Sequence, residues 1–295
     1  MKLLMIFNPH AGNGRAARLL PRIRGELEKI AELDVLKTSG AGDATRWVAA
    51  ADLSIYQGVL AAGGDGTLFE VLNGLYSHGK DSRVPLGLIP VGTGNAFARD
   101  LDLMPGDWVK AVGIIAQGRT RRVDVGRVST RSESFYFLNI IGAGLPVDAM
   151  EMAGKLKFIG NPAYTLATLW RAMKLKSYPL VIEIDGNIID KESMFVEISN
   201  TRYTGTSFMI APAAALDDGF LDLTLVSRLS RSRLLRLFPS IYQGNHVRYP
   251  EVFTCKAKKI KLISPSGMAL GPDGEIRGRT PAQINCLHRD LRIFV

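Results

Sequence analysis

A glycine-rich turn around a single carboxylate, Gly63-Gly64-Asp65-Gly66-Thr67, is the part of this chain best suited to chemistry. It follows a short apolar run that predicts a strand, and it precedes a helical pattern over residues 68–77. Glycines let the backbone approach a charged ligand closely, and the amino end of the next helix offers free N–H groups and partial positive charge. The turn therefore suits a phosphate, with Asp65 available to a metal or a hydroxyl. A plain turn is the alternative.

Two further glycine-rich turns follow apolar runs, Asn8-Pro9-His10-Ala11-Gly12-Asn13-Gly14 and Gly92-Thr93-Gly94-Asn95. The first also fits a dinucleotide fingerprint, Gly12-x-Gly14-x-x-Ala17, but the acid expected at the end of the next strand is missing, because Asp34 stands at its start. A wider phosphate-binding turn is the alternative, and the lack of a Gly-Lys-Ser/Thr sequence there excludes a Walker loop. In the other turn, Asn95 is placed as the N-cap of a helix.

Short strands alternate with amphipathic helices along the first part of the chain. The predicted strands cover residues 2–7, 34–37, 58–62 and 85–90, and the predicted helices cover residues 15–31, 43–51, 68–77, 95–101 and 107–117. This alternation predicts a parallel, three-layer α/β domain over residues 1–125. Because the carboxyl ends of parallel strands share one edge, we expect the three turns to converge on one crevice, which indicates a nucleotide site.

Strands dominate the rest of the chain, where a β-rich second domain is expected over residues 126–295. A hairpin signal at Asp185-Gly186-Asn187 joins two of these strands, and a helical interval is predicted over residues 145–176. Other predicted strands cover residues 122–128, 134–141, 221–226, 251–255, 258–263, 281–287 and 291–294. The sequence does not decide whether the last of these strands belong to the second domain or return to the first.

Composition and charge narrow the class of protein. A hydrophobic fraction of 46% and a charged fraction of 22% are typical of a globular protein, and no apolar run reaches membrane-spanning length. Two cysteines, Cys255 and Cys286, are too few for a disulfide framework, so we expect a reducing, cytosolic environment. The net charge of +9 is concentrated between Val226 and Lys261, where Glu251 is the only acid. Such a face suits membrane phospholipid, nucleic acid or a polyphosphate, and a solvated face without a partner is the alternative.

Taken together, the turn motifs resemble those of a known protein family. Asn8-Pro9-x-Ala11-Gly12, Gly63 to Thr67 followed by Glu70-Val71-x-Asn73-Gly74, and Pro90-x-Gly92-Thr93-x-Asn95 occur in this order, and Ala213 to Asp222 and Asp273-Gly274-Glu275 follow in the second domain. This pattern resembles the diacylglycerol kinase and sphingosine kinase superfamily, particularly its soluble bacterial lipid kinases. The resemblance implies a nucleotide-binding α/β domain (residues 1–125) and a β-sandwich-like lipid-binding domain (residues 126–295), with ATP and Mg²⁺ as cofactors.

The resemblance also implies roles for individual residues. Glu275 would be the general base on the lipid hydroxyl, and Asp65 would assist catalysis by positioning the metal-nucleotide or the substrate. Asp218, with the backbone carbonyls of Ala215 and Phe220, would hold Mg²⁺. The residues that would line the ATP site are Asn8, Pro9, His10, Ala11, Gly12, Thr38, Gly63, Gly64, Gly66, Thr67, Leu68, Phe69, Glu70, Thr93 and Asn95.

Two departures from the family pattern bear on the substrate. Family members often have Asn where this chain has Phe69, and Asp where it has Ala96. Gly94-Asn95-Ala96 looks more like sphingosine or ceramide kinases than diacylglycerol kinases. The first interpretation is therefore a kinase for diacylglycerol or a related glycerolipid, with a sphingosine- or ceramide-type lipid kinase as the alternative.

Two segments of the second domain suit contact with lipid. Residues 230–242 put Leu234, Leu235 and Leu237 on one broad helical face with Arg233 and Arg236 opposite, which suits a basic rim meeting an anionic membrane. Residues 158–180 mix aromatic, aliphatic and basic side chains and could wall an acyl-chain pocket, with plain core packing as the alternative. We expect a cytoplasmic enzyme associated peripherally with the inner face of the membrane.

Three other classes are weighed. An NAD kinase shares a similar Gly-Gly-Asp-Gly turn, but the Asn-Pro-x-Ala-Gly loop and the lipid-kinase-like motifs of the second domain disfavour it. A non-catalytic nucleotide- or lipid-binding regulator is disfavoured by Asp65, Asp218 and Glu275. A nucleic-acid partner is not expected, because the basic segment has no recognition motif. A homodimer is one assembly that the sequence allows.

Overall fold

The fold is described from a computed structural model that covers residues 1–155, 170, 174, 176–205 and 207–295. The chain forms two compact units. Unit 1 comprises Met1–Val123 with Arg289–Val295, and unit 2 comprises Asp124–His288. The chain passes from unit 1 to unit 2 within strand β5 (Thr120–Thr130) and returns within strand β14 (Ala282–Phe294).

Unit 1 is a parallel sheet with helices between its strands. Its strands are β1 (Lys2–Phe7), β2 (Glu32–Lys37), β3 (Gly58–Gly63), β4 (Leu86–Pro90) and the end of β14, and its helices are α1 (Arg15–Glu28), α2 (Asp43–Ala50), α3 (Asp65–Leu75), α4 (Ala96–Arg99) and α5 (Trp108–Gln117). The strand order is β14-β4-β3-β1-β2, and every pairing between these strands is parallel. Helix α1 contacts α5, whereas α2 contacts α3, as the predicted three-layer arrangement requires.

The central strands of unit 1 are buried because they carry almost no polar side chains. Strands β3 and β4 are buried along their whole length, and β2, at the sheet edge, is half-exposed. Continuous apolar runs are typical of parallel strands that helices cover on both faces. Gly58 is required at the start of β3, because a side-chain Cβ there would lie 2.7 Å from the ring of Phe294.

Unit 2 is mainly antiparallel. Its strands are the second part of β5, β6 (Ser134–Phe137), β7 (Ile140–Gly144), β8 (Tyr178–Ile184), β9 (Asn187–Ser199), β10 (Leu221–Ser227), β11 (Val252–Ala257), β12 (Lys259–Ile263), β13 (Leu270–Pro272) and the first part of β14. One run of pairings follows the order β11-β10-β9-β8-β12-β14, and β7 joins β9 to β13. Helices α6 (Leu145–Lys155) and α7 (Arg231–Ser240) belong to the same unit.

The predicted class, α/β followed by β, is confirmed, and the differences are local. The segment expected as one strand over residues 134–141 is two strands, and the two strands expected at the end of the chain are one, with Arg289 at a positive φ of 48° within it. Asn95 stands at the N-cap of α4 but makes no side-chain cap, because its Nδ2 donates instead to Gly92 O, at 2.9 Å. The predicted acyl-pocket segment, residues 158–180, lies largely outside the described residues. Within the described part of the chain, no helix is long and apolar enough to cross a membrane.

Candidate functional site

The order of the strands in unit 1 brings the first two glycine-rich turns together. The chain moves from β1 outward to β2 and then returns to the other side of β1 at β3, so the order reverses between β1 and β3. The turn at Asn8–Gly14 follows β1, and the turn at Gly63–Thr67 follows β3. Ligands of open α/β sheets bind beyond the carboxyl ends of the strands at such a reversal. The third turn, after β4, lies on the next strand of the same edge.

Close backbone contacts lock these turns to each other. Val91 N and Gly92 N donate to Gly63 O at 3.2 and 2.9 Å. A Cβ on Gly92 would lie 2.5 Å from the Cα of Gly64, and a Cβ on Gly12 would lie 2.7 Å from Val91 O. Gly12 also has a φ of +60°, which glycine adopts without strain. The glycines are therefore needed for the three turns to approach one another, and a plain turn requires no such contact.

Asn8 links the first turn to the second. Its Nδ2 donates to the hydroxyl of Thr67 at 3.2 Å, its Oδ1 accepts from His10 N at 2.9 Å, and its backbone N–H donates to Ala62 O at 2.9 Å. Thr67 is buried and His10 is exposed. The side chain of Asn8 thus fixes the shape of the turn, while the turn itself remains at the surface.

The carboxylate of Asp65 joins the second turn to the third. Its Oδ1 accepts from Ala96 N at 2.8 Å, at the amino end of α4, and a Cβ on Gly94 would lie 2.8 Å from its Oδ2. Burial raises the pKa of Asp65 to about 6, and hydrogen bonds from the backbone of Ala96, Phe97 and Asn95 limit the rise. Asp65 is therefore positioned first of all as a clamp between two turns.

Several other predicted ATP-site residues are buried or hold neighbouring backbone at the glycine-rich edge of the sheet. Glu70 accepts from Gly42 N at 2.8 Å and from Ala44 N at 3.0 Å, and thereby holds the amino end of α2. Leu68 and Phe69 are buried, and Thr38 is buried at the end of β2. Because Phe69 lies in the core, its difference from the family's Asn is a packing difference. Thr93 and Gly66 are half-buried, and Pro9, Ala11, Gly63 and Gly64 complete the predicted set on the same edge.

In unit 2, the predicted base stands on a turn that Asp273 anchors. The buried carboxylate of Asp273 accepts from the backbone N–H groups of Leu138, Asn139 and Ile140 at 2.9, 3.0 and 2.9 Å. Three such bonds fix the backbone of the turn. Glu275 is exposed on this turn, and its backbone N–H donates to Pro272 O at 2.8 Å. A carboxylate presented on a rigid support suits proton abstraction.

An ammonium group from strand β11 lies against the carboxylates of the predicted Mg²⁺ loop. Lys256 Nζ donates to Asp218 Oδ2 at 2.8 Å, to Asp222 Oδ2 at 2.9 Å and to Ala213 O at 3.0 Å. Carboxylates and carbonyls are the hard oxygen ligands that Mg²⁺ prefers, so the donor set of the loop suits the metal. The lysine, however, uses the same carboxylates. The described residues contain no group of three or more acidic, His or Cys side chains arranged to hold a metal.

Asp124 supports this loop and was missed in the sequence. It is fully buried at the start of unit 2, its Oδ2 accepts from Gly219 N at 2.6 Å, and its Oδ1 lies 2.9 Å from His288 Nδ1. A Cβ on Gly219, whose φ is +82°, would lie 2.9 Å from the same imidazole nitrogen. The available signal was a single carboxylate between two valines, Val123 and Val125, inside a strand pattern.

An apolar cavity of about 60 Å³ also lies within unit 2. Its walls come mainly from β9, β10 and α7 and include Met194, Leu234 and Leu237. Two buried ionisable groups border it, Glu197 and His246, and within the described part of the chain Glu197 Oε2 and His246 Nδ1 have no hydrogen-bond partner. Helix α7 buries Leu234 and Leu237 but leaves Leu235 53% exposed, so the apolar face is narrower than the sequence predicted.

The glycine-rich edge at the strand reversal places unit 1 among nucleotide-binding α/β proteins. Comparisons with known proteins identify the family within this class. The diacylglycerol kinase catalytic domain matches residues 2–128, and the YegS C-terminal NAD kinase beta sandwich-like domain matches residues 139–295. The diacylglycerol kinase of Staphylococcus carnosus is 33% identical over 98% of this chain and 94% of its own length. That of Staphylococcus epidermidis is 35% identical over 98% of this chain and 90% of its own length.

Comparison with solved structures identifies the same family. The crystal structure of a diacylglycerol kinase from Bacillus anthracis str. Sterne matches with a TM-score of 0.80 and 30% identity, over 99% of this chain and 96% of that one. The chain belongs to the diacylglycerol kinase family. It is a lipid kinase, and it uses ATP to phosphorylate a lipid substrate.

Proposed function

We propose that this enzyme transfers the γ-phosphate of ATP to the free hydroxyl of a diacylglycerol or a closely related glycerolipid. The observation that carries the nucleotide half of the proposal is the locking of three glycine-rich turns at the strand reversal of unit 1, through Gly12, Gly63 and Gly92. The names of the relatives carry the acceptor half. Phosphoryl transfer depends chiefly on positioning and charge neutralisation, which rigid turns provide.

The first 125 residues are proposed as the ATP-binding domain. Backbone N–H groups of the turns at Asn8–Gly12, Gly63–Thr67 and Thr93–Asn95 bind the phosphates. Asp65 and Glu70 act behind these turns, Asp65 by joining two of them and Glu70 by holding α2. A role of Asp65 in metal-nucleotide positioning belongs to the same proposal, because its Oδ2 borders the third turn at Gly94.

Residues 126–295 are proposed as the lipid-binding domain, apart from the end of the last strand. Glu275 is the general base that takes the proton of the lipid hydroxyl, and Asp273 is a positioning residue that fixes its turn. The apolar cavity beside α7 receives the end of an acyl chain, because its walls are hydrocarbon at Met194, Leu234 and Leu237.

Mg²⁺ is proposed as the cofactor, and when bound it supplies positive charge to the phosphoryl oxygens or to the acidic loop of unit 2. In that loop Asp218, with the carbonyls of Ala215 and Phe220, would hold it. Lys256 is then a competitor for the same carboxylates, so metal binding requires its ammonium group to leave Asp218.

Peripheral attachment to the inner face of the membrane is proposed through an exposed basic and apolar rim on α7. Arg231, Arg236 and Leu235 are exposed there. Arg233, which the sequence pattern assigned to the same rim, instead pairs with Glu251 at 2.7 and 3.0 Å. The expected loss of binding to vesicles containing phosphatidylglycerol is therefore larger for Arg231→Glu with Arg236→Glu than for Arg233→Glu. Light scattering of the purified protein distinguishes a monomer from the homodimer.

The deciding experiment measures transfer of labelled γ-phosphate from ATP, with Mg²⁺, to diacylglycerol, monoacylglycerol, sphingosine, ceramide, phosphatidylglycerol and NAD. Diacylglycerol is expected to be the preferred acceptor. A sphingoid base is the second candidate, since Ala96 replaces the family's carboxylate and is fully buried. Glu275→Gln should reduce turnover at least a hundredfold, and Glu192→Gln, an exposed acid of unit 2, should not. ATP binding without label on any acceptor would favour the non-catalytic regulator.

A further inference from the structure

A polar pocket of about 230 Å³ lies in unit 1, away from the glycine-rich turns. It is bordered by four cationic side chains and two acidic ones: Lys80, Arg83, Arg122, Arg292, Asp81 and Asp290. Arg83 comes just before β4, and the glycine-rich turn comes just after it. The two features are therefore separated by the length of the strand, about 16 Å at ~3.3 Å per residue. The pocket is distinct from the proposed ATP site.

Arg83 is held rigidly in the wall of this pocket. Its Nη1 donates to Asp290 at 2.8 Å, and its guanidinium lies over the ring of Tyr76 at 4.1 Å. Its side chain is only 10% exposed, yet within the described residues its Nε has no hydrogen-bond partner. A buried N–H of a charged group without an acceptor is unfavourable, and native proteins usually satisfy such groups with a ligand or water.

One of the two acids of the pocket, Asp290, is fully engaged by neighbouring donors. Asp290 accepts from Lys80 at 2.5 Å, from Arg83 at 2.8 Å and from the hydroxyl of Tyr76 at 2.9 Å. Burial alone would raise the pKa of Asp290, but these hydrogen bonds hold it below its ordinary value, so the group remains ionised. Its single negative charge therefore already faces two cations.

Among the described residues, the other two arginines form no ion pair, and Asp81, the second acid of the lining, is exposed to solvent. Arg292 Nη2 donates to the backbone carbonyl of Arg83 at 3.2 Å, and Arg122 Nη1 donates to that of Arg289 at 3.4 Å. Carbonyl groups orient a guanidinium but leave its charge uncompensated. An ion-pair network with a purely structural role would explain Lys80 and Asp290, but it explains neither these two arginines nor the orphan Nε.

We propose that this pocket binds a phosphate-bearing anion, either a free phosphate ester or the phosphate of a lipid headgroup. Arginine is suited to phosphate because its planar fork of N–H donors matches two oxygens at once. Arg122 and Arg292 supply the charge, and Arg83 supplies a preorganised donor. The volume exceeds that of a single ion, so the pocket admits the group to which the phosphate is attached.

The test titrates inorganic phosphate into the full-length protein without nucleotide, and the signal followed is one that belongs to this pocket alone. The Nε–H resonance of Arg83, assigned by its loss in Arg83→Lys, is followed by nuclear magnetic resonance at constant ionic strength. A saturable shift is expected. The variant with Arg122→Ala and Arg292→Ala should bind phosphate at least about tenfold more weakly. Arg24→Ala removes an exposed arginine elsewhere in unit 1 and should bind like the wild type.

A second arm distinguishes the two sources of phosphate, with sedimentation of phosphatidylcholine vesicles that contain or lack phosphatidylglycerol. Weaker binding of the double variant to the anionic vesicles supports a headgroup as the ligand. Unchanged vesicle binding with weakened phosphate binding supports a free phosphate ester. The proposal is overturned if Arg83 shows no saturable shift and the double variant binds vesicles as the wild type does. It is also overturned if Arg24→Ala loses as much phosphate affinity as the double variant.

Discussion

The titration of Glu197 should make the stability of unit 2 fall as the pH rises. Burial raises the pKa of this carboxyl to about 7 from an ordinary value of 4.5, and a hydrogen bond from the Thr204 hydroxyl limits the rise. Between these two pKa values the folded state binds a proton that the unfolded state has lost. The stabilisation is therefore fully present below pH 4.5 and is lost as the pH rises through 7.

The size of the effect follows from the difference between the two pKa values. At ~1.4 kcal/mol per pKa unit, the free energy of unfolding should fall by about 2.5 kcal/mol between pH 5 and pH 8 on account of this group. Glu197→Gln keeps the shape of the side chain and removes its ionisation, so the variant should lack this component of the fall. At pH 8 it should be more stable than the wild type.

Urea unfolding of wild type and variant at pH 5 and pH 8, followed by circular dichroism, measures the difference. Burial lowers the pKa of His246, so this group acts in the opposite direction, but it is present in both proteins and the comparison isolates Glu197. Glu192→Gln, an exposed acid on the same strand, serves as the control and should retain the wild-type fall. If Glu197→Gln also retains it to within about 1 kcal/mol, the carboxyl is not buried and neutral as we infer.

Three further predictions concern the proposed sites. Gly94→Ala should weaken ATP binding about tenfold or more, measured by calorimetry, because its Cβ would lie 2.8 Å from Asp65 Oδ2. Lys256→Met should tighten Mg²⁺ binding to the nucleotide-free protein about tenfold, because the ammonium group no longer occupies Asp218. Leu234→Trp should raise the KM for long-chain diacylglycerol several-fold, with little effect on a short-chain substrate, because the new ring fills the apolar cavity.

Each of these variants has a matched control. Gly113→Ala adds a methyl group in open space on α5 and should leave ATP affinity unchanged. Asp218→Asn should abolish the Mg²⁺ binding gained by Lys256→Met, and equal binding with and without Asp218 would contradict the loop as a metal site. Leu235→Trp lies on the exposed side of α7 and should not change chain-length preference. Equal effects at Leu234 and Leu235 would mean that the cavity does not receive the acyl chain.

Much of the fold was predictable because local patterns decide it. Apolar strands alternate with helices in the first part of the chain, and this order is sufficient for a parallel sheet whose glycine-rich turns share an edge. The joining of the last two strands was not predictable, because Arg289 adopts a positive φ that its residue type does not favour. The side-chain cap expected at Asn95 fails for a similar reason, since its amide is used by Gly92 O within the turn.

The candidate site was predictable in its residues and only partly in their roles. Glycines at the ends of strands indicated a phosphate site, and the close approach of Gly12 and Gly92 to neighbouring backbone now gives the reason. Asp65 and Glu70 were expected beside the ligand, whereas their carboxylates hold the amino ends of α4 and α2. A carboxylate after a strand indicates chemistry or capping equally well, and only its partners distinguish the two.

By itself, then, the sequence determined the class of fold, the family and the edge at which ATP is expected, because these depend on glycine, on apolar periodicity and on motifs short enough to recognise. The tertiary structure alone decided which charges compensate one another. Lys256 meets Asp218 across 38 positions, and Arg83 meets Asp290 across 207. Such pairs depend on chain segments that are brought together only by folding, and no local pattern specifies the partner of a lysine or an arginine.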